Sequence, residues 1–158
     1  MIAIVDYGIG NLGSVAKAFR HLGAETVLSG DPGLLGEAEA LVLPGDGASG
    51  ATVEEIRRRG LVPVIEEAAR TGKPVLGICI GMQVLFEESE EHGRHLGLGL
   101  LPGRVRRFDG ELAVPHMGGN RLAQRQRHPL LEGIEEGAHV YFVHSYFCDA
   151  PDEVVIAS

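Results

Sequence analysis

The sequence predicts an α/β fold: a mostly parallel sheet with helices on both faces, followed by a second half of short antiparallel strands. Three observations carry this. Runs such as Ile2-Ala3-Ile4-Val5 and Ala40-Leu41-Val42-Leu43 are apolar at every position, as strands buried on both faces are. Helical patterns separate these runs, giving the strand–helix alternation of a parallel sheet. Glycine is abundant, at 23 of 158 residues, about twice the usual share, as tight turns or close backbone approach require.

Each element has its own local reason. The first strand covers 2–5 and runs through Asp6-Tyr7-Gly8-Ile9-Gly10 to Asn11, a side chain suited to cap a helix. In that helix Leu12, Val15, Ala16, Phe19 and Leu22 share one face, and Gly23 stops it. A second strand follows at 26–28, and Asp31-Pro32-Gly33 opens a short helical stretch. The third strand, 40–43, ends sharply at Pro44-Gly45-Asp46-Gly47. Helical patterns cover 51–59 and 62–71, and a fourth strand is expected at 74–78. Met82-Gln83-Val84-Leu85-Phe86 reads as a further helix, with Glu87, Glu88, Glu90 and Glu91 as its solvated acidic end. From about Gly97 the pieces shorten, with strands expected at 105–108, 112–115, 139–142 and 154–157 and a polar loop at 124–128. Without internal repeat or low-complexity linker, residues 1–158 read as a single domain.

Composition excludes several classes. Fourteen Lys and Arg against 22 Asp and Glu leave a net charge of −8, which repels nucleic acid phosphates. No apolar run approaches the ~20 residues of a membrane-spanning helix. The N-terminus has no basic leader and meets an acid at Asp6, unlike a signal peptide. Cys79 and Cys148 are too few for a disulfide framework and suit a reducing compartment. A cytoplasmic protein without nucleic acid or membrane partners, metal or cofactor is expected.

Two glycine patterns compete as functional sites. Gly8-Ile9-Gly10-Asn11-Leu12-Gly13 has the G-x-G-x-x-G form of a dinucleotide site, with Asp31 downstream. Asp6 stands where that fingerprint packs an apolar residue under the helix, so no dinucleotide is expected to bind there. Gly77-Ile78-Cys79-Ile80-Gly81 follows a strand and precedes a helical run, which is the nucleophile-elbow pattern with cysteine in the reactive slot. The flanking glycines make room for a strained turn, and the helix start favours thiolate at Cys79. The N–H of Ile80 is then available to an oxyanion, and Gly45, Asp46 and Gly47 are placed to offer a second donor. His92 and His95 read as part of a polar loop rather than a metal site, His21 as a helix-end cation, and Cys148 as an inert thiol.

Several stretches together resemble the glutaminase subunits of imidazole glycerol phosphate synthase, which are class I glutamine amidotransferases with a flavodoxin-like sheet. They are Asp6-Tyr7-Gly8-Ile9-Gly10-Asn11-Leu12, Leu43-Pro44-Gly45-Asp46-Gly47, Gly77-Ile78-Cys79-Ile80-Gly81-Met82-Gln83, Pro115-His116-Met117-Gly118 and Tyr141-Phe142-Val143-His144-Ser145-Tyr146-Phe147. The resemblance implies that Cys79 attacks the glutamine side-chain amide and forms a thioester with release of ammonia. It implies substrate contacts from Gln83, the Gly47 loop and the backbone around His144, Ser145 and Tyr146. Ammonia would pass to a (β/α)8-barrel cyclase subunit near Asn11, Met117 and Gly118. Read from the residues alone, two alternatives stay open: a nucleotide-binding flavodoxin- or Rossmann-like module, and another cysteine hydrolase of the same fold.

Three positions depart from the family pattern. Gly119-Asn120 follows Pro-His-Met-Gly where the family carries Trp, and the chain has no Trp. Asp46 and Ser49 replace apolar residues, and a carboxylate at Asp46 repels an oxyanion if it turns inward. No His-Pro-Glu segment supplies a general base: His128-Pro129 continues as Leu130-Leu131. The expectation is therefore a domain truncated at its C-terminus, with the triad His and Glu absent and the chain inactive alone.

Overall fold

The computed structural model describes residues 1–110 and 113–158. Strands β1 (Ile2–Val5), β2 (Thr26–Ser29), β3 (Ala40–Leu43) and β4 (Val75–Gly77) form a parallel sheet in the order β2-β1-β3-β4. Helices α1 (Leu12–His21), α2 (Pro32–Glu37), the pair α3 (Ser49–Arg58) and α4 (Val62–Arg70), and the single turn α5 (Ile80–Gln83) follow these strands. Two caps act as expected: Oδ1 of Asn11 accepts from N–H of Ser14 at 3.1 Å, and Oδ1 of Asp31 from Leu34 at 2.8 Å.

Chain direction reverses between β1 and β3, since β1 leads outward to β2 and β2 leads back across to β3. Right-handed crossovers then put α1 on one face of the sheet and α2, α3 and α4 on the other. The second face holds the main core, where Ala3, Val5, Leu41 and Leu43 pack against Leu35, Val53, Ile56, Leu61 and Ile65. The α1 face is less completely covered than continuous apolar strands suggest. Leu28 and Leu76 pair in register with Ile4 and Val42, yet they stay 46% and 42% exposed. Within α1, Leu12, Val15, Ala16 and Phe19 are half-buried, while Leu22 lies past the helix end and is 77% exposed.

The second half contains a four-stranded mixed sheet and a hairpin. Strands β5 (Phe86–Ser89), β6 (His95–Leu96), β7 (Leu101–Arg107) and β10 (Tyr146–Asp149) run in the order β10-β7-β5-β6, and β8 (His116–Arg121) pairs antiparallel with β9 (His139–His144). Four expectations are corrected here. The helix expected through Phe86 ends after one turn, and 86–89 is a strand beside β7. Val84, Leu85 and Phe86 are all buried, and a short continuous apolar run does not distinguish helix from strand. Strand β7 begins earlier than expected because Pro102 and Gly103 are absorbed in a bulge between the Phe86 and Glu88 pairings. Residues 154–157 form a turn with one bridge, Gln124 to Ala157, rather than a strand. Of the strand expected at 112–115, Leu112 lies outside the described residues, 113–115 are irregular, and pairing starts at His116.

No helix among the described residues is long and apolar enough to cross a membrane.

Candidate active site

Cys79 sits between β4 and α5 with φ 56° and ψ −119°, backbone angles that a side chain adopts only under strain of about 1–3 kcal/mol. Glycines on either side permit the turn. A Cβ at Gly81 would collide with the carbonyl of Leu43, and one at Gly77 with the backbone of Met82. The turn is closed by N–H of Gly81 donating to the carbonyl of Ile78 at 3.0 Å and N–H of Met82 to that of Cys79 at 3.0 Å. Ile80 is the first helical residue, so its N–H has no acceptor within the helix. The thiol of Cys79 is exposed.

The loop after β3 lies against this turn. A Cβ at Gly45 would fall 2.5 Å from N of Gly81 and 2.8 Å from Cβ of Ile80, so only glycine lets the loop approach the start of α5. Gly47 follows with φ 75° and Asp46 is exposed. The loop after β1 packs on its other side, since a Cβ at Gly10 would lie 3.4 Å from N of Gly45. Three loops thus meet at the carboxyl ends of β1, β3 and β4, around the reversal point where open α/β sheets bind ligands.

Behind the turn lies a buried polar cluster. Gln83 is buried, and its Oε1 accepts from Oγ of Ser49 at 2.9 Å. N–H of Ser49 donates to Oε2 of Glu91 at 2.7 Å, and N–H of Glu91 to Oγ of Ser89 at 3.2 Å. Glu91, expected as solvated, is only 8% exposed. Ala48, the residue before α3, makes no side-chain cap, so the first N–H of the helix takes its acceptor from Glu91 instead.

Most of the remaining candidates belong to the β8–β9 hairpin and the start of β10. His144 Nδ1 lies 2.9 Å from the carbonyl of Tyr146, and its Nε2 lies 3.1 Å from Nδ1 of His116. A consistent direction runs through the three bonds, with Asn120 Nδ2 donating to His116 Nε2 at 3.0 Å, His116 Nδ1 to His144 Nε2 and His144 Nδ1 to the Tyr146 carbonyl. Ser145 accepts from N–H of Phe108 at 3.1 Å. Among the described residues no imidazole is hydrogen-bonded to Sγ of Cys79. Met117 is 61% exposed on β8, opposite Val143 at 52%, with Tyr141 at 71% on the same hairpin face beside Gly119. Gly118 pairs with Phe142, and Asn11 is spent on its helix cap.

Cys148 is half-buried, and burial pushes its thiol up to about 12. The Gly8 loop is held by local contacts. N–H of Gly8 donates to Oδ1 of Asp6 at 2.9 Å, and the Arg59 guanidinium occupies the space a Cβ at Gly8 would need. The His95 ring packs over Gly50.

A strained cysteine at a strand–helix turn, with a glycine loop laid against it at the sheet's reversal point, suits nucleophilic chemistry, and the family described as glutamine amidotransferase class-I matches residues 3–158, which makes the chain a class I glutamine amidotransferase. A solved glutamine amidotransferase superposes with a TM-score of 0.77 at 22% identity, covering 99% of this chain and 79% of the other. A glutamine amidotransferase of Thermotoga maritima gives 0.64 at 19%, covering 95% and 62%. Both speak to fold. The imidazole glycerol phosphate synthase subunit HisH of Sulfurimonas denitrificans is 52% identical over 158 residues, 97% of this chain and 76% of its own. That of Geobacillus kaustophilus is 53% identical over 165 residues, 100% and 78%. The chain belongs to the HisH family, the glutaminase subunits of imidazole glycerol phosphate synthase in histidine biosynthesis, and spans about three-quarters of the length of these relatives.

Proposed function

We propose that Cys79 is the nucleophile that releases ammonia from the side-chain amide of glutamine. The thiolate attacks the amide carbon, and the carbonyl oxygen becomes an oxyanion beside the N–H of Ile80 and the loop at 45–47. The C–N bond then breaks, ammonia departs with an added proton, and a thioester remains. Water hydrolyses it to glutamate and the free thiol. Gln83, with its oxygen fixed by Ser49, presents its NH2 to the substrate, and the backbone of 144–146 receives the amino-acid end.

Ammonia then passes to a cyclase partner built as a (β/α)8 barrel. The outer face of the β8–β9 hairpin supports this, because Met117, Tyr141 and Val143 form an exposed apolar strip, the composition of an interface centre. Gly118 and Asn11 are assigned to the partner interface by the family resemblance. The step without a candidate among the described residues is proton transfer, since no imidazole bonds to Cys79. The chain is therefore chemically reactive at Cys79 and slow to turn over.

The observation that carries this reading is the positive φ of Cys79 with Gly45 packed on the turn beside it. The test is alkylation by a chloroketone analogue of glutamine, read by peptide mass spectrometry. Modification of Cys79 but not Cys148, slowed by free glutamine, is the expected result. Labelling indifferent to glutamine overturns the reading.

A further inference from the structure

Tyr7 is fully buried at the end of β1, and its hydroxyl is the one buried side-chain polar atom among the described residues that lacks a hydrogen-bond partner. Phenylalanine would fill the same space without leaving a donor unpaired, so the hydroxyl calls for a partner that the resting arrangement does not provide. Backbone register points toward the neighbouring loop. Ile4 sits opposite Val42 in the parallel β1–β3 pair, and the same register continued past both strand ends sets Tyr7 opposite Gly45, the residue before Asp46. The two loops also touch, because a Cβ at Gly10 would lie 3.3 Å from Cβ of Pro44 and 3.4 Å from N of Gly45. Burial first, and the nearby Asp46 carboxylate second, keep the phenol protonated. Tyr7 is thus a fixed donor without an acceptor, beneath a loop that carries an exposed carboxylate.

That carboxylate is a liability where it stands. Gly45 touches Ile80 and Gly81, next to the sulfur of Cys79, so Asp46 is within a few residues of the oxyanion that glutamine attack creates. Like charges in a partly desolvated site oppose each other strongly. A donor that holds the carboxylate on the core side of the loop removes the repulsion and also fixes the loop, so that its backbone N–H groups face the pocket.

We propose that Tyr7 is a positioning residue of this site, its hydroxyl donating to the Asp46 carboxylate when substrate engages the 44–47 loop and keeping that charge away from the oxyanion. The proposal rests on Cys79 acting as a glutaminase nucleophile. It requires no covalent step of its own.

The experiment measures the rate of Cys79 alkylation by the chloroketone analogue of glutamine and by iodoacetamide, with a thermal melt for every variant. Tyr7→Phe slows the chloroketone reaction about tenfold, short of the roughly 100-fold that loss of an oxyanion donor itself costs. It leaves the iodoacetamide rate and the melting temperature unchanged or the latter slightly raised. In an Asp46→Ala background the same Tyr7→Phe change has less than about a twofold effect, because the two groups act as one unit. An unchanged chloroketone rate in Tyr7→Phe overturns the proposal. So does a slowing that persists without Asp46, or one that comes with a lowered melt and slower iodoacetamide reaction, since a purely structural role gives those results. If the unsubstituted chain itself shows no preference for the chloroketone that free glutamine suppresses, the glutaminase reading of Cys79 fails first and takes the proposal with it.

Discussion

The backbone N–H of Ser49 donates to Oε2 of Glu91 across 2.7 Å and 42 positions of sequence. Ser49 opens α3, whose preceding residue is the uncapping Ala48, so a carboxylate from beyond β5 stands in for the missing cap at the positive end of the helix. The hydroxyl of the same serine holds Gln83. Replacing Glu91 with Gln keeps an oxygen acceptor but loses the charge, and should cost about 1 kcal/mol; Glu91→Ala orphans the N–H and should cost about 2 kcal/mol. Urea midpoints measure both. Two neutral variants would show that the bond adds nothing to stability.

Cys79→Gly should abolish labelling by the glutamine analogue and raise stability by about 1 kcal/mol. The turn demands φ 56°, which glycine adopts freely and cysteine does not. Cys79→Ala keeps the strain, so it should lose the labelling without the gain. A Gly variant no more stable than the Ala variant would mean that the turn stores no strain. The comparison separates the cost of the elbow from the loss of its sulfur.

The elements that local chemistry determines were legible in the sequence. Asn11 and Asp31 each cap a helix within reach of their own backbone, and the apolar runs at 2–5 and 40–43 became central strands. The elbow was legible because Gly77, Cys79 and Gly81 each answer a steric demand that spacing alone encodes. What was illegible depends on distant partners. Phe86 pairs with Leu101 and Ser89 with Val105, so the β5 strand exists only because β7 lies beside it. Glu91 looked like one more acid in Glu87-Glu88-Ser89-Glu90-Glu91, and only the folded chain brings it to the bare end of α3. The Tyr7 hydroxyl was equally silent, since a tyrosine after a strand says nothing of what its oxygen will meet.

Stability should fall at alkaline pH through one buried acid, Tyr7, and one half-buried acid, Cys148. The folded chain holds the Cys148 proton to about pH 12, against an ordinary value of 9.0, and Tyr7 is raised above its ordinary 10.0. The unfolded chain gives up these protons first, so stability is complete below about pH 9 and lost as pH rises from there through the folded values. Urea midpoints between pH 8 and 12 should decline, and Cys148→Ala should flatten the decline where the thiol begins to ionise, with Tyr7→Phe flattening it further up. A midpoint independent of pH over this span would mean that neither group is shielded in solution.

Ammonia release should remain at background even when the cyclase partner and its nucleotide ligand are added. A cysteine nucleophile needs a base to take its proton and an acid to deliver one to the departing amine, and removing that group from comparable triads costs several orders of magnitude in rate. His144, the imidazole nearest in sequence to the implied substrate contacts at Ser145 and Tyr146, has both ring nitrogens engaged, with Tyr146 and with His116. His116 is in turn engaged by Asn120. Cys79 is exposed at its turn, so the expected phenotype couples ready alkylation to negligible turnover. The assay compares the chain with its Cys79→Ala variant at saturating glutamine. Turnover clearly above that control would mean that a described imidazole leaves its resting partners to act as base. His144→Ala would then identify it, by removing the turnover while leaving iodoacetamide labelling of Cys79 intact.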